Sequence, residues 1–314
     1  MRTWHCLLVS TLILAAPLCA QEQSASSSGI SFDASVQSSY NSIGSITRLD
    51  ASGGYILNRH WQADIGLPFY FVSPSASTSA ATGSGAVQGI GNAYAQIRFL
   101  LPSPVFNYVS TVTGTAPTGN RADGLSTGHA TVDWSNYFDR PLGPVTPFAE
   151  VGIANAVSDT MFFIRPYETY GFMAHGQGGV RYKPARWMQI GAAAYIIEPH
   201  GTQTVVSRVV TKETGNGVSS NSPVNLPGGQ GLTGLLGGLG GLGSAAAQTP
   251  VFETTTVTTG TASLDRDDGF STWALFGKSP GFTFQVGYTR SNEFGLNTLF
   301  FGAGYNLRRM FGKS

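Results

Sequence analysis

The 314-residue chain carries 18 basic and 17 acidic residues, a formal net charge of +1, and is 11% charged against 41% hydrophobic. A soluble domain averages about 25% charged residues, so this chain has less than half the usual share. With a mean hydropathy of +0.02 and no apolar run of about 20 residues beyond the N-terminus, a helical membrane bundle is excluded. The 19 Phe, 5 Trp and 12 Tyr exclude a wholly disordered chain, and the near-neutral balance leaves no electrostatic footprint for nucleic acid. Polar and apolar residues mixed at short range read as a transmembrane β-barrel.

Residues 1–20 read as a signal peptide. Arg2 supplies a positive start, Leu7–Ala16 an apolar stretch, and Leu18-Cys19-Ala20 a cleavage site before Gln21. Leu18 is bulky where a lipid-modified Cys follows a small residue, which argues against a lipoprotein. Both cysteines, Cys6 and Cys19, fall in this segment. The mature chain would then hold no disulfide, thiol nucleophile or Cys metal site. Residues 21–29 form a short periplasmic segment, too short for a substantial plug.

A barrel strand in lipid alternates apolar and polar residues with period 2. Ile30–Tyr40 does so, with Phe32, Ala34 and Val36 facing lipid and Asp33 facing the lumen. Thr47–Leu57 puts Leu49 and Tyr55 out and Arg48 and Asp50 in. Trp61–Val72 puts Ile65 and Leu67 out and Asp64 in, and Asn92–Leu101 puts Ile97 and Phe99 out and Arg98 in. Phe106–Ala116 alternates more weakly. Ala130–Arg140 has Val132 and Trp134 out and Asp133, Tyr137 and Asp139 in; Val145–Asn155 has Val151 out and Phe148 and Glu150 in. Phe172–Tyr182 turns Val180 out and His175 and Arg181 in. Met188–Ile197, Phe270–Lys278, Phe282–Arg290 and Thr298–Leu307 complete an all-β, antiparallel, up-and-down barrel of about twelve strands. Lys278 and Arg290 take the outward parity, but only at strand ends.

Connections alternate in length, as tight periplasmic turns and long extracellular loops do. Asn58–His60, Pro102–Pro104, Arg140–Pro144, Lys183–Arg186 and Ser279–Gly281 are tight; Ser73–Gly89, Pro117–Gly128, Ala156–Tyr170 and Pro199–Asp268 are long. In the longest, Gly201–Lys212 and Val251–Leu264 are Thr- and Val-rich and read as a paired ribbon. Its tip, Gly228–Gly243, is a Gly/Leu tract followed by Ala245–Ala247, either a flexible loop tip or an apolar lid or contact. Asp265–Asp268 reads as the charged extracellular base of the ribbon, lacking the spacing of a calcium loop.

The last strand holds Gly302-Ala303-Gly304-Tyr305-Asn306-Leu307, which resembles the C-terminal signal read by the barrel assembly machinery, with Gly302, Tyr305 and Leu307 as its key positions. A tail, residues 308–314, follows it. Between Tyr55 and Asn155 the chain has Tyr55–Trp61, Gly66-Leu67-Pro68-Phe69-Tyr70, Gly89-Ile90-Gly91-Asn92, Gly114–Asn120, Gly124–Gly128 and Pro147–Gly152 in order. This order resembles the outer-membrane transporters of the MetA pathway of phenol degradation. Asn92 stands where that family is expected to have Asp. The resemblance implies uptake of small hydrophobic or aromatic compounds.

The residues themselves predict a lumen lined by Asp33, Arg48, Asp50, Asp64, Arg98, Asp133, Glu150 and Arg181. Such charges either pair across the barrel and close it or line a selective polar path. Any gate must come from extracellular loops. No His-x-Ser pair of the outer-membrane phospholipase kind occurs at His60, His129, His175 or His200, so no enzyme is expected, and with no ligand cluster, phosphate loop or dinucleotide motif no metal or cofactor is expected either. The expected partners are outer-membrane lipid, the assembly machinery and a small-molecule solute. The leading function is a passive channel or transporter, with a closed barrel whose ribbon contacts a partner as the alternative.

Overall fold

The computed structural model describes residues 28–76, 85–156, 159, 164–165, 167–201, 203–207, 258–260, 267–277, 281–293 and 295–311. The expected signal peptide, the Gly/Leu tract, Lys278 and the last three residues lie outside them. Twelve strands form the barrel: β1 (Ser28–Asn41), β2 (Gly44–Ile56), β3 (Trp61–Pro74), β5 (Ala93–Leu101), β6 (Asn107–Ala116), β7 (Thr131–Asp139), β8 (Val145–Ala154), β10 (Met173–Ala185), β11 (Met188–Pro199), β14 (Asp267–Gly277), β15 (Gly281–Ser291) and β16 (Asn297–Phe311). Each pairs antiparallel with its barrel neighbours in chain order, and β16 closes on β1 from Ser28↔Phe311 to Tyr40↔Leu299. Closure leaves no free edge, the condition for a sheet in hydrocarbon.

Parity sets which face each residue takes. Ile65 is 68% exposed, Leu299 62% and Phe282 60%, whereas their chain neighbours Asp64 and Thr298 are buried. So much exposed large apolar surface is tolerable only against lipid. Aromatic residues flank the belt: Tyr55, Trp61, Tyr182 and Trp187 near the turn end, and Tyr40 stacked on Phe301 at 5.5 Å near the loop end.

Inside, glycine answers aromatic. Gly66 faces Tyr94, Gly191 faces Trp273, Gly269 faces Tyr195 and Gly287 faces Phe300, each a directly opposed cross-strand pair. A Cβ on Gly191 would lie 2.2 Å from the Trp273 ring, so the missing side chain is what makes room for the indole. We expect Gly191→Val to cost about 1–3 kcal/mol through overpacking. Urea unfolding of the detergent-folded protein measures this, and adding Trp273→Ala should recover part of the loss.

The structure corrects four expectations. The fourth barrel strand is longer than Asn92–Leu101: β4 (Val87–Ile90) precedes β5 along the same partner. Phe69↔Ile90 and Gly66↔Tyr94 differ by one residue in register, a bulge at residues 91–92. Gly91 is needed there because a Cβ would sit 2.4 Å from the Tyr70 ring. The ribbon is a three-stranded sheet, because β12 (Gln203–Ser207) pairs both with β13 (Thr258–Gly260) and with β9 (Tyr167–Tyr170) from the preceding loop. Residues 308–311 are not tail but the end of β16, paired with β1. Asp267, expected in the charged base of the ribbon, is instead the first residue of β14 and is buried.

Candidate functional site: the barrel lumen

A cavity of about 480 Å³ fills the barrel, and every barrel strand contributes to its lining. It reaches from Gln189 and Leu275 near the turn end to Glu168 and Thr169 at the loop end. Asp33, Arg48, Asp50, Arg98, Asp133, Glu150 and Arg181 all line it. Asp64 shares their parity but is buried in the wall, where it accepts from the Gln62 amide at 3.0 Å and from the Ser31 hydroxyl at 3.3 Å.

Among the described residues, the charges expected in the lumen pair along the wall. Arg48 pairs with Asp50 on its own strand. Arg181 on β10 pairs with Asp139 on β7, two strands away. Asp133 meets His175 at 3.2 Å, and Glu150 accepts from the Gln177 amide at 2.9 Å. Arg98 donates to Gln96 at 2.7 Å, and Asn306 donates to Asp33. Strand twist and tilt bring alternate inward residues of adjacent strands into line, which favours such wall pairs over contacts across the bore.

One sector of the wall is aromatic. Tyr137, Phe148 and Trp273 form a chain with ring centroids 5.8 and 6.2 Å apart, reaching over the two strands between β8 and β14. The Arg181 guanidinium lies 5.6 Å from the Tyr137 ring and 5.4 Å from Phe148. Ala193 and Phe300 complete this buried cluster. The facing sector, from β1 to β6, is polar, with Asp33, Gln62, Tyr94, Gln96, Thr111 and Thr113 along the cavity.

The loop end is capped. Beyond β8, Asp159 accepts from the Tyr70 hydroxyl at 2.8 Å and the Arg165 backbone N–H at 3.1 Å, with Arg48 at 3.8 Å. The Ile164 N–H donates to the Ser39 hydroxyl at 3.0 Å. Its side chain joins Leu125, from the loop after β6, against Ile43, Ile46, Tyr70 and Val72. The cap is latched to β14 by Arg165, 3% exposed, which donates to Asp267 at 3.0 Å beside the Tyr195 ring. Burial works against the Arg165 charge, but Tyr167, Asp267 and Tyr195 more than offset it, raising its pKa above the ordinary value. Burial, the largest influence on Tyr167, helps push its hydroxyl up to about 12. The latch is therefore charged, and its tyrosine neutral, at physiological pH.

The inward positions of all eight charges, seven of them lining the cavity, follow from parity. The cap residues Asp159, Ile164 and Arg165, the latch Asp267 and the Asp133–His175 contact do not. Gly302, Tyr305 and Leu307 lie on β16 opposite Gln37, Ala34 and Phe32, with the Tyr305 ring 4.9 Å from Phe282.

No family model matches the chain, and no curated protein matches it. Among solved structures it is similar to the COG4313 outer membrane channel from Pseudomonas putida F1, with a TM-score of 0.50 at 14% identity over 95% of this chain and 100% of that one. The NanC porin matches at a TM-score of 0.46 and 8% identity, over 87% of this chain and 100% of that one. Likeness at such identity is likeness of fold. The closed twelve-stranded barrel and its lipid-facing belt put the protein in a bacterial outer membrane.

Proposed function

We propose that the chain is a passive outer-membrane channel for small molecules, gated by the inward-folded loops. The carrying observation is the cavity lined by all twelve strands and capped at one end only by loop residues. A core packed for structure alone would leave no such space, since interiors pack with few voids larger than a water molecule. In such a channel solutes would move down their gradient. The Tyr137–Phe148–Trp273 sector favours small hydrophobic or aromatic solutes, in keeping with the resemblance of residues 55–155 to the MetA-pathway transporters. The seven charges that line the cavity would tune selectivity, with Asp64 behind them in the wall, and Gly302, Tyr305 and Leu307 would serve assembly.

The cap favours one competing reading, a closed barrel whose outer sheet contacts a partner. Swelling of proteoliposomes in isosmotic solutions of small neutral solutes separates the two. We expect swelling that slows steeply as solute size grows. Liposomes that swell no faster than protein-free controls, with the cap intact or released, would support the closed barrel.

A further inference from the structure

The chain is almost neutral as a whole, yet its interior is not. Among the described residues, carboxylates facing or buried behind the lumen are Asp33, Asp50, Asp64, Asp133, Asp139, Glu150, Asp159, Glu168 and Asp267, against guanidiniums of Arg48, Arg98, Arg165, Arg181 and Arg308. Acid therefore outnumbers base inside the barrel.

The guanidiniums are also already engaged. Arg48 is paired with Asp50 and reaches Asp159, Arg165 with Asp267, and Arg181 with Asp139. Arg98 and Arg308 lie within electrostatic reach of Asp33. Asp133 and Glu150 differ. Their partners are a histidine and an amide: His175 lies 3.2 Å from Asp133 and Gln177 donates to Glu150 at 2.9 Å, so neither carboxylate is paired with a guanidinium. Both line the cavity on adjoining strands β7 and β8. Around them the wall is low-dielectric protein, where fixed charge acts on a passing ion far more strongly than in bulk water.

We infer that the lumen selects by charge, passing cations and cationic solutes in preference to anions of the same size, with Asp133 and Glu150 as the selectivity-determining residues. This rests on the channel reading above. Rings and pairs of fixed carboxylates confer cation preference in other pores by the same electrostatics.

The test is the reversal potential of the purified full-length protein in a planar bilayer under a tenfold KCl gradient. Wild type should reverse toward the potassium equilibrium potential. Asp133→Asn with Glu150→Gln should bring the cation-to-anion permeability ratio severalfold closer to one while conductance persists. Gln177→Glu, which adds a carboxylate beside Glu150, should move the ratio the other way. Heat-modifiable gel mobility checks that each variant is a folded barrel. A conducting wild type that reverses at zero or on the chloride side overturns the inference and leaves the channel reading standing, as does a double variant with an unchanged ratio. Absence of conductance from wild type and cap-released protein alike overturns both.

Discussion

Replacing Arg165 with Ala should open the pore. The side chain is buried, and its guanidinium is the tie between the inward loop and Asp267 on β14. Removing one partner of a buried pair costs about 3–5 kcal/mol, because the other charge is left without compensation. The contacts of Asp159, Ile164 and Arg165 lie outside the barrel ladders, so the cost falls on the closed state of the cap. About 3 kcal/mol corresponds to roughly a hundredfold shift in a closed-to-open equilibrium. Asp159 and Ile164 still hold the loop, and the observed gain will be smaller than that limit. We expect the open probability in bilayer recordings to rise at least severalfold for Arg165→Ala and for Asp267→Asn, and less for Arg165→Lys, which keeps the charge but loses the planar fork. Equal open probability in all four proteins would show that the loop is a fixed part of the wall.

Ile65→Arg should be the most damaging single change on the outer surface. Ile65 lies in β3 opposite Gly53 and Ala95, and at 68% exposure it is among the most open apolar residues of the barrel. An arginine near the bilayer midplane costs about 2–4 kcal/mol. Reversible unfolding in lipid vesicles would register that loss. Thr111→Arg, on a strand wall facing the cavity, should cost far less. A soluble sandwich would show the opposite order, since an exposed isoleucine there tolerates arginine.

Parity alone made the barrel legible. Each of the twelve expected strands overlaps an observed one, because a lipid-facing side chain and a lumen-facing one obey different solvents at every second residue. The same rule places Asp133, Glu150 and Arg181 in the lumen without any contact being known. It fails where the reason for a residue is not the solvent its strand faces. Ile46 and Val72 are inward and apolar because loop residues Leu125 and Ile164 cover them. The cap segment has no periodicity, and its anchors lie far off in sequence: Asp159 is 89 residues from Tyr70, and Ile164 is 125 from Ser39. Trp273 and Phe300 break the polar-inside rule as well, but here a signal was available. Each faces a glycine on the neighbouring strand, Gly191 and Gly287, so the inward glycines marked where large lumen side chains would lie. The three-stranded outer sheet was half visible, since Thr- and Val-rich segments announced β12 and β13 while the four residues of β9 were too few to stand out.

The account stands on the lumen being a conduction path that loop residues close. Single-channel recording of the wild-type protein beside Arg165→Ala, in the same planar bilayers, addresses this directly. The account predicts discrete conductance steps of one size in both, brief and rare in wild type and prolonged in the variant. Silent membranes with both proteins, each confirmed as a folded barrel by gel mobility, would contradict it.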